Sequence, residues 1–316
     1  MKKKYKVGEL FAGIGGIGLG FKMAGFELVW ANEIDEKACT TYSQNFNHLL
    51  INMDMTKVDP NQLPQIDILT GGFPCQAFSI AGYQKGFKDD RGNLFFDILR
   101  YINTLQPKVI FLENVKNLTA HDNGRTFNVI QKELTKAGYY IKSNVLNTAD
   151  YSDVPQNRER IYIVCFKDKT LFEKFKFPEQ VSNIKSIRSL LEENVSDEYS
   201  YKNSRYYNQL KSEMTNPNTV YQWRRVYVRE NKNNLCPTLT ANMGTGGHNV
   251  PLVIDNNDIR KLTPRECARF QGFPDNYKFP DNLPKSALYK QIGNSVSVPV
   301  VKAIAKNIMK VLEGVE

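Results

Sequence analysis

The sequence predicts an α/β fold: a mostly parallel sheet with one antiparallel strand, covered by helices on both faces, followed by a second, smaller and irregular domain. Three observations predict it. Apolar runs of strand length alternate with amphipathic stretches from residue 5 to about 168, a glycine-rich loop follows the first run, and the alternation stops near residue 178. A chain of 316 residues is long enough for a main domain plus a smaller one. The change of pattern, and its return near the end, put the first domain at 1–181 plus 288–316 and the second at 182–287.

Taken in order, "YKVGELF", "FELVWANE", "LLINMD", "IDILTGG", "KVIFLEN", "IKSNVLNT" and "RIYIVCF" read as strands. Between them "GLGFKMAG", "EKACTTYSQNF", "GNLFFDILRYINTL" and "TFNVIQKELTKAG" have helical spacing of apolar residues. The last two strands are joined only by "ADYSDVPQNRE", too short and too polar for a crossover helix, so "RIYIVCF" is expected to return antiparallel. Its start then lies at the sheet edge where its parallel neighbours end. Residues 202–235, rich in Asn, Tyr and Arg, show little period and mark the second domain, whereas "VSVPVVKAIAKNIMKVLEGV" has helical spacing and is expected to pack back on the first.

With 41% hydrophobic and 24% charged residues and no apolar run near the roughly 18 to 20 residues of a membrane span, the composition fits a soluble, cytoplasmic protein with no membrane partner. Lys and Arg outnumber Asp and Glu by 42 to 33, which favours a polyanionic partner such as nucleic acid. The five cysteines (Cys39, Cys75, Cys165, Cys236 and Cys267) are odd in number and lack CxxC or Cys/His clustering, against both a disulfide framework and a metal site. Cys39 and Cys165 sit within apolar-periodic runs and read as inert core thiols.

In "FAGIGGIGLG", Gly13, Gly15 and Gly18 fit G-x-G-x-x-G after the first strand, and Glu33 ends the second. Glycines let the backbone turn sharply and a ligand approach closely, while a carboxylate at that strand end suits ribose hydroxyls. Glu33, and Asp54 after the third strand, point to an adenosine ligand, with NAD and S-adenosylmethionine both open on these features. The strand "IDILTGG" delivers "FPCQ" to the same edge, and a position just ahead of a helix can lower a thiol's pKa, so Cys75 is placed to react. "KVIFLENV" brings Glu113 and Asn114 there, and "PQNRERIYIV" brings Arg158 and Arg160.

This series of motifs, with "DDRGNLFFDILR", "RKLTPRECARFQGFP" and "QIGNSVSVPV" after it, resembles the DNA (cytosine-5-)-methyltransferases of bacterial restriction-modification systems over nearly the whole chain. The resemblance implies a Rossmann-like methyltransferase sheet and a target-recognition domain. It implies Cys75 as nucleophile, Glu113 and Arg160 as its catalytic helpers, and Arg158 as a supporting contact. S-adenosylmethionine becomes the cofactor, held by Phe11, Gly13, Gly15, Gly16, Glu33, Ile34, Asp54, Met55, Gly72, Pro74, Leu94, Asn294, Ser295 and Val296, with no metal.

The chemistry suits those residue types. Carbon 5 of cytosine is too weak a nucleophile until a thiolate adds at carbon 6, and charge pushed onto the ring then calls for a carboxyl at N3 and a guanidinium at O2. Stacked neighbours cover the ring in a duplex, so the base must be extruded. In the second domain "YQWRRVYVRENK" supplies Arg224, Arg225 and Arg229 among aromatics, and "CPTLTANMGTGGHNVP" supplies Thr238, Leu239, Gly246 and Gly247 for contacts with double-stranded DNA. The expected state is a monomer, and the resemblance makes a companion restriction endonuclease an expected partner. The alternative is an RNA cytosine-5 methyltransferase of the same fold, disfavoured by the roughly hundred residues between "RIYIVCF" and "RKLTPREC". A non-catalytic DNA-binding protein leaves Cys75, Glu113 and Arg160 without purpose, and an NAD oxidoreductase leaves the later motifs unexplained.

Overall fold

A computed structural model describes residues 4–73, 94–224, 226–246, 248–256 and 258–314. In chain order the elements are β1 (Lys6–Leu10), α1 (Gly16–Met23), β2 (Glu27–Glu33), α2 (Glu36–Ser43), β3 (Leu49–Asn52), β4 (Ile68–Gly72), α3 (Leu94–Leu105), β5 (Val109–Val115), α4 (Arg125–Lys136), β6 (Tyr140–Asn147), α5 (Thr148–Tyr151) and β7 (Glu159–Phe166). They continue as α6 (Lys169–Lys174), α7 (Tyr207–Glu213), β8 (Tyr221–Trp223), β9 (Val228–Glu230), β10 (Leu252–Asp255), β11 (Asp258–Lys261), α8 (Pro264–Phe270), α9 (Lys285–Asn294) and α10 (Val298–Glu313).

The main sheet has the order β3-β2-β1-β4-β5-β7-β6. All pairings from β3 to β5 are parallel, and β7 runs antiparallel to both its neighbours, as its short polar connection requires. Alternate residues of the central strands feed opposite layers. On β5, Ile110 and Leu112 pack with α3 and α4, while Val109 and Phe111 pack with α1 and α10. Both faces being covered, the strand is apolar without a break from Val109 to Leu112.

Helix α10 returns to the sheet as its periodicity predicts. Val301, Ile304 and Ile308 are fully buried, each contributing about 1.5–3 kcal/mol relative to exposure. The close approach to α1 needs Gly20, where a Cβ would stand 2.6 Å from Val301 Cγ1.

Residues beyond 182 are more ordered than their composition suggests. They form a four-stranded antiparallel sheet in the order β11-β10-β8-β9. Its strands are only three or four residues long. Tyr221, Gln222 and Trp223 are all buried, so no alternation marks β8. The sheet packs on α7 through Leu210 and Met214. A separate cluster joins this region to the glycine loop: Cys236, Leu239, Cys267 and Tyr289 share a core with Ala12, Ile14 and Tyr42.

Candidate active site

Strands are added to one side of β1 by β2 and β3 and to the other by β4 onward. A crevice opens at the carboxyl ends where that order reverses. A cavity of about 450 Å³ occupies it. Phe11, leading out of β1, takes a left-handed φ of 53°, a conformation that costs a non-glycine residue of order 1 kcal/mol or more and is characteristic of functional turns. Gly13 follows at φ 55°, with nothing within 4 Å of where a Cβ would stand. Its backbone is therefore open to a ligand. The Glu33 carboxylate closes one side by accepting hydrogen bonds from the backbone N–H of Gly13 (2.7 Å), Ile34 (2.9 Å) and Asp35 (2.8 Å).

Of the residues the sequence singles out, Phe11, Gly13, Gly16, Glu33, Gly72, Glu113, Arg158, Arg160, Asn294, Ser295 and Val296 line this one cavity. Sheet register explains the inner wall. Gly72 pairs with Glu113 on β5, and Val115 pairs with Arg160 on β7, so the ends of two parallel strands meet the start of an antiparallel one. Glu113 Oε1 and Arg160 Nε are 3.1 Å apart, yet Oε1 receives no hydrogen bond. Burial raises the Glu113 pKa, against the charges of Arg160 and Arg158. Burial and the two arginine charges pull in opposite directions, and one carboxyl oxygen is open to a further partner.

Several named residues stand elsewhere. Ile34 is 66% exposed at the rim and Met55 is buried with α3. Asp54 caps the turn at 55–57 by accepting from Thr56 N, Gly15 takes φ 79° as the N-cap of α1, and Leu94 opens α3. Pro74, Cys75, Arg225 and Gly247 lie outside the described residues. Asn114 Nδ2 donates to the Phe73 carbonyl at 2.9 Å, fixing the last described residue before Pro74. The described thiols, Cys39, Cys165, Cys236 and Cys267, are free and buried, as Cys39 and Cys165 were expected to be. Burial raises all four pKa values, that of Cys39 to about 12.

Glu9 was not anticipated as part of the site, although an acid in the middle of an apolar first strand was a readable signal. It lines the cavity, is 2% exposed and accepts from Gly18 N at 2.9 Å. Its other oxygen meets Tyr42 Oη at 3.4 Å, and Tyr42 Oη lies 2.8 Å from His48 Nε2. Burial raises the Glu9 pKa to about 8, while burial, then the Lys22 charge, lower that of His48 to about 4. Tyr42 Oη donates to the Glu9 carboxyl, and its contact with His48 extends the buried network to the imidazole.

On the second sheet Arg229 is exposed and Tyr227 is 52% exposed, while Arg224 donates to the His248 carbonyl and Asn249 Oδ1. Gly246 takes φ 89°. Leu239 is 1% exposed and Thr238 Oγ1 donates to the Asn157 carbonyl at 2.7 Å. The Leu239 side chain therefore faces the core.

A family model for the C-5 cytosine-specific DNA methylases matches residues 5–310. The chain belongs to this family. The methylase is 52% identical over 311 residues to the Type II methyltransferase M.Bsp6I of Bacillus sp. (strain RFL6), covering 96% of this chain and 98% of that one. It is 41% identical over 316 residues to the Type II methyltransferase M.HhaI of Haemophilus parahaemolyticus, covering 95% and 93%. Among solved structures it resembles S. pombe Dnmt2 methyltransferase, with a TM-score of 0.76 at 21% identity over 98% of this chain and 99% of that one. It also resembles Entamoeba histolytica methyltransferase EhMeth, with a TM-score of 0.74 at 20% identity over 98% and 99%. The expected fold and enzyme class stand: this is a DNA cytosine-5 methyltransferase on a mostly parallel sheet with one antiparallel strand. Among the described residues no helix is long and apolar enough to cross a membrane.

Proposed function

We propose that the methylase modifies carbon 5 of a cytosine extruded from a short specific sequence in double-stranded DNA. The observation that carries this reading is the buried Glu113–Arg160 pair, 3.1 Å apart, in the same cavity as the glycine loop, with Glu113 Oε1 free of hydrogen bonds. S-adenosylmethionine fits the open backbone at Gly13 and the Glu33 carboxylate, and when bound it supplies the electrophilic methyl group for carbon 5. Phe11, Gly16, Gly72 and Asn294 to Val296 would hold it, with Gly15, Ile34, Asp54, Met55, Pro74 and Leu94 as outer contacts.

Cys75, as thiolate, adds to carbon 6 of the ring and breaks the 5,6 double bond. Glu113, whose pKa burial raises, passes a proton to N3 as charge develops there, and Arg160 donates a hydrogen bond to O2. After carbon 5 is methylated, its proton leaves to a base, the Cys75–carbon 6 bond breaks to release the thiolate, and N3 returns its proton to Glu113, which restores the neutral aromatic ring. Residues 1–181 plus 288–316 form the catalytic part. Residues 182–287 hold the duplex through Arg224, Arg225, Arg229, Thr238, Gly246, Gly247 and the backbone of Leu239. Protection of cytoplasmic host DNA against a companion endonuclease is the role that fits, with the enzyme acting as a monomer.

Bisulfite sequencing of DNA and of tRNA from cells expressing the chain tests the reading. The expected result is conversion blocked at one recurring DNA motif. Complete conversion of the DNA refutes it, and protected cytosines in the tRNA alone would assign the activity to RNA.

A further inference from the structure

Arg158 sits two residues before Arg160, but its guanidinium does not point at a carboxylate. The side chain is 2% exposed, and among the described residues no acidic group lies within ion-pair distance of it. Its partners are backbone carbonyls from two distant segments. Nη1 donates to the Leu239 carbonyl at 2.8 Å, and Nη2 donates to the carbonyls of Ser295 and, at 3.4 Å, Gly293. Leu239 belongs to the segment that feeds the loop of Gly246, whereas Gly293 and Ser295 end α9 and line the cavity.

The clasp is two-sided. Residues 155–158 and 236–239 are zipped together: Cys236 N donates to the Pro155 carbonyl at 2.7 Å and Asn157 N to the Cys236 carbonyl at 2.8 Å. Thr238 Oγ1 donates to the Asn157 carbonyl at 2.7 Å, and Leu239 N to Gln156 Oε1 at 3.3 Å. A buried cation whose hydrogen bonds all go to carbonyls, with Nε left without a partner and Glu113 acting on it only at a distance, is a poor source of stability, since desolvation opposes it. What it does supply is a three-way joint between the residue leading into β7, the recognition segment and the carboxyl end of α9.

We propose that Arg158 is a positioning residue that couples DNA held by residues 182–287 to the cofactor end of the cavity, so that each ligand tightens the other. This rests on the reading of those two sites given above. Thermodynamic linkage makes the coupling reciprocal, and couplings of this kind are typically about 5- to 150-fold.

The test measures the affinity of the full chain for S-adenosylhomocysteine by calorimetry, without DNA and with saturating duplex carrying the motif that bisulfite mapping returns. The ratio of the two affinities is the readout. A merely structural loss weakens both and leaves the ratio unchanged. Wild type is expected to show a ratio of at least about fivefold, Arg158→Met a ratio near one, and Arg158→Lys and Thr238→Val intermediate ratios. Thr238 is half-buried and its hydroxyl makes one bond of the clasp, so that variant keeps the test alive should the Arg158 variants fail to fold. A wild-type ratio near one, or unchanged ratios in the folded variants, overturns the coupling while leaving the two sites intact. Failure of wild type to bind S-adenosylhomocysteine at all overturns the reading of the cavity instead.

Discussion

Replacing Glu9 by Gln should make the methylase more stable than wild type, by a margin that grows as pH rises from about 4.5 to about 8. In the fold the carboxyl stays protonated to about 8, against an ordinary value of 4.5. The unfolded chain therefore loses this proton first, and ionisation favours unfolding throughout that window. Gln mimics the neutral acid: its oxygen can accept from Gly18 N, and its amide can donate to Tyr42 Oη once the phenol hydrogen turns to His48 Nε2. At about 1.4 kcal/mol per pH unit the window sets a ceiling of about 5 kcal/mol, and relaxation around the ionised carboxylate lowers it, so about 2–5 kcal/mol is expected above pH 8. His48 acts in the opposite sense. Its depressed pKa, about 4 against 6.5, makes the protein lose stability as pH falls through that range. That contribution is common to both proteins and cancels in the difference. Urea unfolding of wild type and Glu9→Gln at about pH 5, 6.5 and 8.5 gives the margin directly. A margin constant to within about 0.5 kcal/mol across the series would show that Glu9 is not a neutral acid in the fold and refute the network with Tyr42 and His48.

Cys75→Ala should abolish turnover while leaving S-adenosylhomocysteine binding measurable by calorimetry, and retained turnover would remove Cys75 from the mechanism. Glu113→Gln should lower kcat by roughly 10²- to 10⁴-fold in a steady-state methyl-transfer assay, because an amide cannot pass a proton to N3. Glu266 is fully buried and bidentate to Arg260 at 2.8 Å for each bond. Glu266→Ala should cost about 3 kcal/mol in urea unfolding, the lower end for a broken buried pair because Asp255 still faces Arg260 at 2.6 Å. DNA affinity should fall steeply with salt, and Arg229→Ala should reduce the log–log slope by about 1 in a fluorescence titration.

How much was legible follows from the range of the interactions involved. Apolar periodicity is local, so the strands and helices of the main sheet were readable to within about three residues, as was the antiparallel sense of β7 from its short connection. That β7 inserts between β5 and β6, and so sets Arg160 against Glu113, depends on pairing across the sheet. The four-stranded sheet escaped notice because Tyr221, Gln222 and Trp223 are all buried and leave no period of two. Leu239 read as a DNA contact from its motif, yet only packing with Cys236, Tyr289 and Ile14 shows its side chain turned inward.

By itself the sequence determined the fold class, the family and the residue types of the proposed chemistry, because motif order and periodicity are written along the chain; the role proposed for Cys75 rests on that alone. Tertiary structure decided protonation and connection. Glu9 and Glu113 are carboxyl groups like any others until burial raises their pKa values. Arg158 is one more arginine of a motif until folding brings it carbonyls from 81 and 137 residues away. Desolvation and long-range hydrogen bonding are properties of the folded environment, and no local pattern of residues contains them.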